Sequence, residues 1–576
     1  MKMSDYVEID IGEFPKDWDV RKLKDVIIKA KSGGTPRRNV PEYWNGNIPF
    51  AKIQDITKSG KYLYNTEEFI TEKGLENSNA WIVPKDSLLL TIYGSLGFVA
   101  INKIPVATNQ AIIGIIPNKN IIDTEFLYYW YLYFKPYWSK FIKKGTQPNL
   151  TLEIVLNSSV PILPLEEQKK IVELLQKATD IYYTLKDYII QIRNSTETIT
   201  KVIRKELLTK GIGHRDYVET DIGEFPKDWE VRRLNEIAII RSGFSERKRD
   251  ENSKVIHLRP DNIDNETDRI VFHRIVYIPE SPKIERYLLR HLDIVLVNTN
   301  GSIDHIGKLG IIDMPLNQKI TFSNHLTAIR IVSKDVEPYY IYYLLSWYHL
   351  NGSFKKVVKN QAGKWNLNLD TIRNLLIPLP PLEEQKKIVE LLQKVDELII
   401  RFNDFLQNLE DEANTLYKSI LRLALTGKLT EDWRRQIILL RSVVIPYLVY
   451  QASKIKGRPV YMTELMKYLF LLQKEYNINL AYNFEPYKYG PFTPQLYKDL
   501  EELKDRIEVK EVKDNVDKSL ITSKELPQVN QDIANAVNDL INRFGNKDLK
   551  ELLSYVYKKY PEYTVKSELN LDEFLK

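Results

Sequence analysis

The chain has 576 residues, 43% of them hydrophobic, which is enough to bury several cores and predicts about four domains. Its formal net charge of +6 is compatible with nucleic-acid binding but is not evidence for it. The absence of cysteine excludes disulfides and cysteine-ligated metal sites. The first ten residues are acidic and the longest aromatic run is short, so we predict a cytoplasmic protein without signal peptide or membrane span.

The chain opens with an entry segment that it carries twice. Asp5 to Trp18 reads DYVEIDIGEFPKDW, and Asp216 to Trp229 repeats it with one difference. The stretch that follows each copy, about 20–160 and 231–378, is divergent. Near-identical ends around divergent middles indicate a tandem duplication in which one frame presents two different surfaces.

Both middles are predicted to be mixed α/β. Short runs rich in β-branched residues, bounded by Gly, Pro and Asn, predict strands. They are Ser87–Tyr93, Ile112–Ile116, Asp293–Asn298 and Ala328–Val332. An aromatic stretch predicts a helix in each middle, over Thr124–Lys144 and Pro338–Lys359. Gly94-Ser95 matches Gly301-Ser302, and Asn109-Gln110 matches Asn324-His325, so the middles are interpreted as diverged copies of one fold.

Each middle ends in the same segment, PLEEQKKIVELLQK, at Pro164–Lys177 and Pro381–Lys394. Proline at the entry and two glutamates in the first turn predict a helix start. Apolar residues then recur by threes and fours for about forty residues, through Leu174, Ile181 and Tyr188 in the first copy. The aligned polar residues Ser195 and Glu412 are expected to fix the register of the helix pair. The simplest arrangement is an antiparallel pair, and the alternative is two helices that each pair with another protein.

These segments resemble the specificity subunit of type I restriction–modification systems. The resemblance rests on the twin PLEEQKKIVELL segments, on SGGTPRRNVPEYWNGNIPFAKIQDI from Ser32, LLLTIYGSLGFVAIN from Leu88 and ATNQAIIGIIP from Ala107, and on GTQPNLTLEIV from Gly145. It covers about residues 10–430. The resemblance implies two target-recognition domains that each read one half of a split site in double-stranded DNA. It also implies two long antiparallel helices that separate them and dock methyltransferase subunits, of which we expect two, with a restriction or translocase subunit possible as well.

The expected fold class is therefore α/β (α+β) and multidomain. The expected segments are target-recognition domain 1 over 1–160, a central helix over 161–212, target-recognition domain 2 over 213–378, a second helix over 379–430 and a mainly helical C-terminal domain over 431–576. If the two helices act as a spacer, their length should fix the gap between the half-sites, about one turn of duplex.

Base reading needs forked donors and acceptors, whereas phosphates need cations and small polar groups. In the first domain the candidate DNA-binding residues are Thr35, Arg37, Arg38, Lys52, Gln54, Tyr93, Ser95, Asn109, Gln110, Lys143, Lys144, Thr146, Gln147 and Asn149. In the second domain GGTP is replaced by RSGFSERKRD, and the candidates are Ser242, Arg247, Lys248, Arg249, His257, Arg259, Asp261, Asn298, Asn300, Ser302, Asn324, Lys356, Lys359, Gln361, Lys364 and Trp365. Trp18 and Trp229 are predicted to be core residues.

The sequence contains no recognisable catalytic motif. It has no phosphate-binding loop, no Asn-Pro-Pro-Tyr-like methyltransferase segment and no clustered nuclease motif. We therefore expect no enzyme activity, metal or cofactor in this chain, with S-adenosylmethionine, ATP and magnesium used by partner subunits. The alternatives are a stand-alone DNA-binding regulator and a coiled-coil scaffold without a DNA role.

The C-terminal segment from Asp432 has no counterpart earlier in the chain. Helical patterns cover Met462–Tyr476 and Pro494–Leu503. The sequence FEPYKYGPFTPQLYKDLEELK between Phe484 and Lys504 resembles small helical domains of the Panacea or SocA-like antitoxin-associated group. We expect a protein-interaction or regulatory role with an unknown partner, and the alternatives are a solubilising appendage and an accidental gene fusion.

Overall fold

The computed structural model describes residues 6–9, 11–141, 149–220, 223–264, 269–314, 318–361, 363–513 and 517–567, with the side chains of 6–9, 361, 512–513 and 517–518 left out. The chain forms two compact units. The first contains residues 1–184 and 412–576, and the second contains residues 185–411.

The first α/β domain lies in the first unit. Its strands are β1 (Tyr6–Ile9), β2 (Gly12–Pro15), β3 (Asp19–Lys22), β4 (Ile27–Ser32), β5 (Trp44–Ala51), β6 (Tyr62–Leu63), β7 (Glu68–Ile70), β8 (Ile82–Val83), β9 (Leu88–Thr91), β10 (Val99–Asn102), β11 (Val106–Thr108), β12 (Ile112–Pro117) and β13 (Ser159–Ile162). Its helices are α1 (Ile53–Lys58), α2 (Glu72–Glu76), α3 (Thr124–Phe134) and α4 (Leu152–Leu156). Helix α5 (Leu165–Thr209) begins in this unit and ends in the second one.

The second α/β domain lies in the second unit. Its strands are β14 (Tyr217–Thr220), β15 (Gly223–Pro226), β16 (Glu230–Arg233), β17 (Ala238–Ser242), β18 (Val255–Leu258), β19 (Tyr277–Ile278), β20 (Ile294–Val297), β21 (Thr299–Asn300), β22 (Leu309–Ile311), β23 (Ile320–Phe322), β24 (Leu326–Ile331), β25 (Lys359–Gln361), β26 (Lys364–Asn366) and β27 (Leu376–Leu379). Its helices are α6 (Leu234–Ile237), α7 (Pro338–Leu350) and α8 (Leu369–Arg373). Helix α9 (Leu382–Leu425) follows and returns to the first unit.

The two α/β domains share one sheet topology. In the first, the antiparallel order β4-β12-β9-β10 is extended by β6, and a second sheet has the order β7-β5-β11-β8. In the second, the corresponding orders are β17-β24-β20-β22 and β19-β18-β23. The central pair of the second sheet is parallel in both domains, β11 with β5 and β23 with β18. This confirms the prediction that the middles are diverged copies of one fold.

The aromatic helix covers the main sheet in each α/β domain. Every residue of β9 is buried, because apolar side chains on one face pack under α3 and those on the other face pack against the second sheet. Helix α7 packs over β20 and β22 in the same way. The predicted aromatic helices exist but are shorter than predicted. Helix α3 ends at Phe134, where a 3-10 turn over Lys135–Lys140 takes over.

The two long helices are antiparallel partners, as predicted. In the first unit Thr179 Oγ1 lies 3.0 Å from the Tyr417 hydroxyl, and the rings of Tyr182 and Tyr417 stack with centroids 4.6 Å apart. In the second unit Arg193 Nη1 lies 3.3 Å from Glu410, and Arg204 Nη2 lies 2.9 Å from Asp396 Oδ1. Residues further along α5 therefore contact residues progressively nearer the start of α9, which is the antiparallel arrangement.

The predicted contact stripe between the helices is wrong by one position. Ile181 and Tyr188 are largely exposed, at 70% and 57%, whereas Leu175 and Ile189 are buried. The same holds on α9, where Leu398 is exposed and Leu406 is buried. Ser195 and Glu412 are exposed, so they do not set the register of this pair. Two neighbouring stripes with three-four spacing run along each helix, and the less apolar one forms the contact.

The C-terminal domain completes the first unit. In chain order it contains α10 (Glu431–Lys456), β28 (Val460–Tyr461), α11 (Met462–Glu475), β29 (Glu485–Tyr487), β30 (Gly490–Phe492), α12 (Gln495–Glu502), β31 (Ile507–Lys513), β32 (Asp517–Ser523), α13 (Gln531–Phe544) and α14 (Leu549–Lys559). It is mainly helical, as expected, but the sheet β28-β32-β31 was not predicted. Helix α10 is the single helix in the described residues that is long and apolar enough to cross a membrane. Its residues Val444 to Ala452 instead contribute to the core of this domain.

Candidate nucleic-acid interface

Four loops meet at one polar edge of the first α/β domain. This first polar edge comprises residues 33–38, 51–54, 92–95 and 108–111, with 149–150 alongside. Backbone hydrogen bonds join them: Gly34 N donates to Thr108 O at 3.0 Å, Asn109 N to Ala51 O at 3.2 Å, and Leu150 N to Ile92 O at 3.1 Å. The loops that carry the candidate residues in the described part of this domain are therefore held side by side.

The second α/β domain has the equivalent edge. This second polar edge comprises residues 242–249, 258–261, 298–302, 323–325 and 364–367. Here Phe244 N donates to Phe322 O at 3.2 Å, Ser323 N to Leu258 O at 2.9 Å, and Leu367 N to Asn298 O at 2.8 Å. The backbone frame of the edge is thus shared, while its side chains differ.

The hydrogen bonds also correct the predicted alignment of the two edges. Ile112 N donates to Asn109 O, and the corresponding bond in the second domain runs from Leu326 N to Ser323 O. Asn109 therefore corresponds to Ser323, and Gln110 to Asn324. The pairing of Asn109-Gln110 with Asn324-His325 was shifted by one residue, because the two turns carry few residues in common.

One glycine is required at each edge. A Cβ on Gly33 would lie 2.0 Å from Thr108 O, and a Cβ on Gly243 would lie 2.1 Å from Ser323 O. Contacts this short are forbidden, so only glycine lets strands β4 and β17 pass so close to the neighbouring turn. Ser32-Gly33 therefore survives as Ser242-Gly243 although the rest of the GGTP segment is replaced, and this equivalence was not predicted.

Each polar edge also has one cationic side chain at an equivalent backbone position. Lys52 and Arg259 directly follow β5 and β18, and the backbone N–H of each donates to a side chain three residues later, Asp55 at 2.7 Å and Asn262 at 3.0 Å. Lys52 Nζ lies 2.8 Å from Glu68. Arg259 Nη2 donates to Arg274 O at 3.3 Å.

A small sheet assembles several candidates of the second domain. In the order β21-β26-β25, Asn300 pairs with Trp365, and Asn366 pairs with both Thr299 and Lys359. The exposed Lys359 and Lys364 therefore lie next to the loop that carries Asn300 and Ser302. A cavity of about 370 Å³ adjoins this loop, and its lining includes Asp261 and Asn300.

The candidate residues differ in the solvent exposure of their side chains. Exposed are Arg37, Arg38, Gln54, Tyr93, Gln110, Asn149, Ser242, Arg247, Lys248, Arg249, Asp261, Asn324, Lys356, Lys359 and Lys364. Half-buried are Thr35, Lys52, Ser95, Asn109, Arg259, Asn300, Ser302 and Trp365. Buried are His257 and Asn298. Lys143, Lys144, Thr146, Gln147 and the side chain of Gln361 lie outside the described residues.

Comparison with known proteins identifies the family to which the chain belongs. A family model described as the type I restriction modification DNA specificity domain matches the chain twice, over residues 15–193 and 226–410. The chain belongs to this family. Each match covers one α/β domain from the end of its opening hairpin, together with most of the long helix that follows it.

Specificity subunits of type I restriction enzymes are similar over most of their length. The MjaIX subunit of Methanocaldococcus jannaschii is 30% identical over 421 residues, which cover 69% of this chain and 91% of that protein. The EcoKI subunit of Escherichia coli K12 is 21% identical over 446 residues, covering 74% and 92%. A chain from a solved structure concerned with complex assembly and conformational transition of the type I R-M system has the same fold, with a TM-score of 0.58 at 19% identity over 72% of this chain and 99% of that one.

A tryptophan–glutamate contact links the two repeated motifs of this chain. Trp18 Nε1 donates to Glu167 at 3.2 Å, and Trp229 Nε1 donates to Glu384 at 3.3 Å. The tryptophans end the two entry segments, and the glutamates are the second Glu of the two PLEEQ motifs. Trp18 and Trp229 are buried, as predicted, but their link to the glutamates was not predicted. The fact that both motifs repeat together was the available signal.

The glutamine of PLEEQ makes a second shared contact. Gln168 accepts a hydrogen bond from Asp123 N at 2.8 Å, and Gln385 accepts one from Glu337 N at 2.9 Å. Asp123 and Glu337 are the residues that precede α3 and α7. Each PLEEQ motif thus connects the start of a long helix to the aromatic helix of the domain before it.

Glu167 and Glu384 differ in the groups that they contact in addition to the tryptophan. Glu167 is fully buried and bonded to Arg434 Nη1 and Thr430 Oγ1, both at 2.6 Å, near the start of α10. Burial raises the pKa of Glu167, and the guanidinium of Arg434 opposes that shift by stabilising the ionised carboxylate. Glu384 instead accepts from Ile212 N at 2.9 Å and lies 2.8 Å from His214 Nε2.

Substituting Glu167→Gln should lower the free energy of unfolding of the first unit by about 3–5 kcal/mol, because the buried Arg434 loses its hydrogen-bonded carboxylate and is left with Asp17, 3.8 Å away. Glu166→Gln, at an exposed position one residue earlier, should change it by less than about 0.5 kcal/mol. Denaturant unfolding of both variants measures the difference. Equal stability of the two variants would contradict the role of Glu167.

His257 should make the second unit sensitive to acid. Its ring is 2% exposed, lies 3.0 Å from Thr321 Oγ1, and burial lowers its pKa to about 4. The unfolded chain takes up a proton near pH 6.5, so the stability from the neutral ring is complete above that pH and is lost as the pH falls towards 4. Thermal or denaturant unfolding at pH 7 and 4.5 should show a loss about 2–3 kcal/mol larger for the parent than for His257→Gln. An equal loss of unfolding free energy in the parent and in His257→Gln would contradict this role of His257.

Proposed function

We propose that the two α/β domains each read one half of a bipartite, asymmetric site in double-stranded DNA. The observation that carries this is the pair of polar edges, which share one backbone frame but present different side chains. Gln110 stands where the second domain has Asn324, and Lys52 stands where it has Arg259. Two related surfaces with different donors and acceptors suit two different half-sites, because base edges are distinguished by their hydrogen-bonding pattern.

The long helices would set the spacer between the half-sites. Helix α5 has 45 residues and α9 has 44, so each extends roughly 65 Å at 1.5 Å per residue. A chain that carries both readers binds the second half-site as an intramolecular event, which raises affinity and fixes the gap.

The exposed apolar stripes on the long helices support the docking of methyltransferase subunits. On α5 the stripe is Leu174, Ile181 and Tyr188, and on α9 the aligned residues Leu391, Leu398 and Phe405 are exposed as well. Large exposed apolar stripes mark interaction surfaces. Since the stripes occupy equivalent positions of two sequence copies, we propose that two copies of one partner bind, one for each helix. A stand-alone regulator would not need them.

Catalysis is assigned to the partners. The described residues hold no group of three or more His, Asp or Glu side chains arranged for a metal. The exposed candidate residues are mostly polar and cationic side chains, which are the kinds that contact bases and phosphates. S-adenosylmethionine would be used by the methyltransferase subunits, and ATP with magnesium by a restriction subunit if one is present. We propose a cytoplasmic location, where such a complex meets DNA.

The proposed function predicts the pattern of DNA methylation. The chain is co-expressed with type I methyltransferase subunits from the same source in a methylation-free host, and the genome is sequenced for modified bases. A motif of two unrelated halves with a fixed gap is expected. A contiguous or palindromic motif, or no modification despite a soluble complex, would contradict the proposal.

The docking stripes predict a graded loss of partner. Ile181→Glu or Leu398→Glu should each reduce the complex to one methyltransferase subunit per chain, and the double variant should remove both, since each places a charge in an apolar interface. Native mass spectrometry of the co-purified complex measures this. Gln393→Glu, exposed about 140° around α9 from Leu398, is the control and should keep both subunits. Retention of two subunits by the double variant would exclude these stripes.

A further inference from the structure

The side chain of Arg38 is held in place at the first polar edge although it is exposed. Its guanidinium lies 3.8 Å from the centre of the Trp44 ring, and its Nη2 lies 2.8 Å from Glu68 Oε2. The side chain is nevertheless 56% exposed. An exposed arginine normally samples many rotamers, so a stack and an ion pair together remove most of that freedom.

The groups that hold Arg38 are themselves fixed. Trp44 Nε1 donates to Arg37 O at 3.1 Å, and the Trp44 ring packs edge-on against the buried ring of Phe50. Glu68 is held by Lys52 through its other oxygen, at 2.8 Å. The loop that carries Arg38 begins at the close approach of Gly33 to Thr108, where Gly34 N also donates to Thr108 O at 3.0 Å.

This arrangement suits a planar contact better than a simple charge. Glu68 neutralises part of the positive charge of Arg38, which weakens any attraction to phosphate. The guanidinium has five N–H donors in a rigid fork, and Glu68 engages one terminal nitrogen of that fork. A forked donor of fixed plane matches O6 and N7 of guanine in the major groove, the commonest specific contact of arginine with DNA.

We propose that Arg38 reads one guanine in the half-site of the first α/β domain, with Trp44 and Glu68 as positioning residues. This rests on the proposed function. At the second polar edge, the fifth residue after Gly243 is the exposed Lys248, against Arg38 as the fifth after Gly33. Lysine has no planar fork, so Lys248 does not repeat this contact of fixed plane at the second polar edge.

The test is selection of binding sites from a random duplex library, with the full chain in complex with its methyltransferase subunits. The parent complex defines the two half-sites. Arg38→Ala and Arg38→Lys should both lose preference for guanine at one position of one half-site by about 10- to 100-fold. The other half-site should stay unchanged, which also reports correct folding. Arg37→Ala, on the exposed neighbouring residue, should weaken all sequences alike.

The outcomes separate the two levels of the proposal. If the parent complex selects no bipartite motif, the proposed function fails. If the parent selects one and both Arg38 variants keep every base preference, only the guanine contact is overturned. If Arg38→Lys behaves as the parent while Arg38→Ala binds all sequences more weakly with a salt slope smaller by about 1, Arg38 contacts a phosphate and the inference is wrong.

Discussion

The architecture depends on one buried contact, the indole N–H of an entry-segment tryptophan donated to the second glutamate of a PLEEQ motif. Through Trp18 and Glu167, and again through Trp229 and Glu384, each α/β domain is tied to the start of the helix that follows it. The adjacent glutamine bonds the residue before the aromatic helix. Because these bonds are buried or half-buried, they are stronger and more exacting in geometry than surface bonds. The domain orientation on its helix is therefore set by three residue types.

The long helices carry two neighbouring stripes of different polarity. One stripe, mixed in polarity, pairs α5 with α9 within each unit through contacts such as Thr179–Tyr417 and Arg204–Asp396. The other, more apolar, remains exposed. Polar contacts specify register and direction at the expense of stability, whereas an apolar stripe offers a partner more favourable burial. The division suits a subunit that folds first and assembles afterwards.

Sequence patterns predicted the larger features and missed the finer ones for identifiable reasons. Periodicity located both helices nearly to the residue, but it could not decide which of two three-four stripes faces the other helix, so Ile181 and Tyr188 were misplaced. Strand patterns found β9, β12, β20 and β24, while the charged hairpin β31–β32 has too little apolar alternation to be recognised. His257 is polar and beside Arg259, yet a hydrogen bond to Thr321 allows it to be buried. The DNA-contacting roles of the candidates stay predictions.

Arg434 links the C-terminal domain to the duplicated part of the chain. It lies in the first turns of α10 and neutralises a glutamate that belongs to the duplicated part of the chain, and Glu485 adds an ion pair to Arg21 of β3. In the second copy, residues of the connection between the halves, Ile212 and His214, occupy that place. Without the C-terminal domain, Glu167 would lose its bond to Arg434. A truncation ahead of Arg434 would remove both the cation bonded to Glu167 and the packing around it, so the C-terminal domain helps to support the duplicated part of the chain.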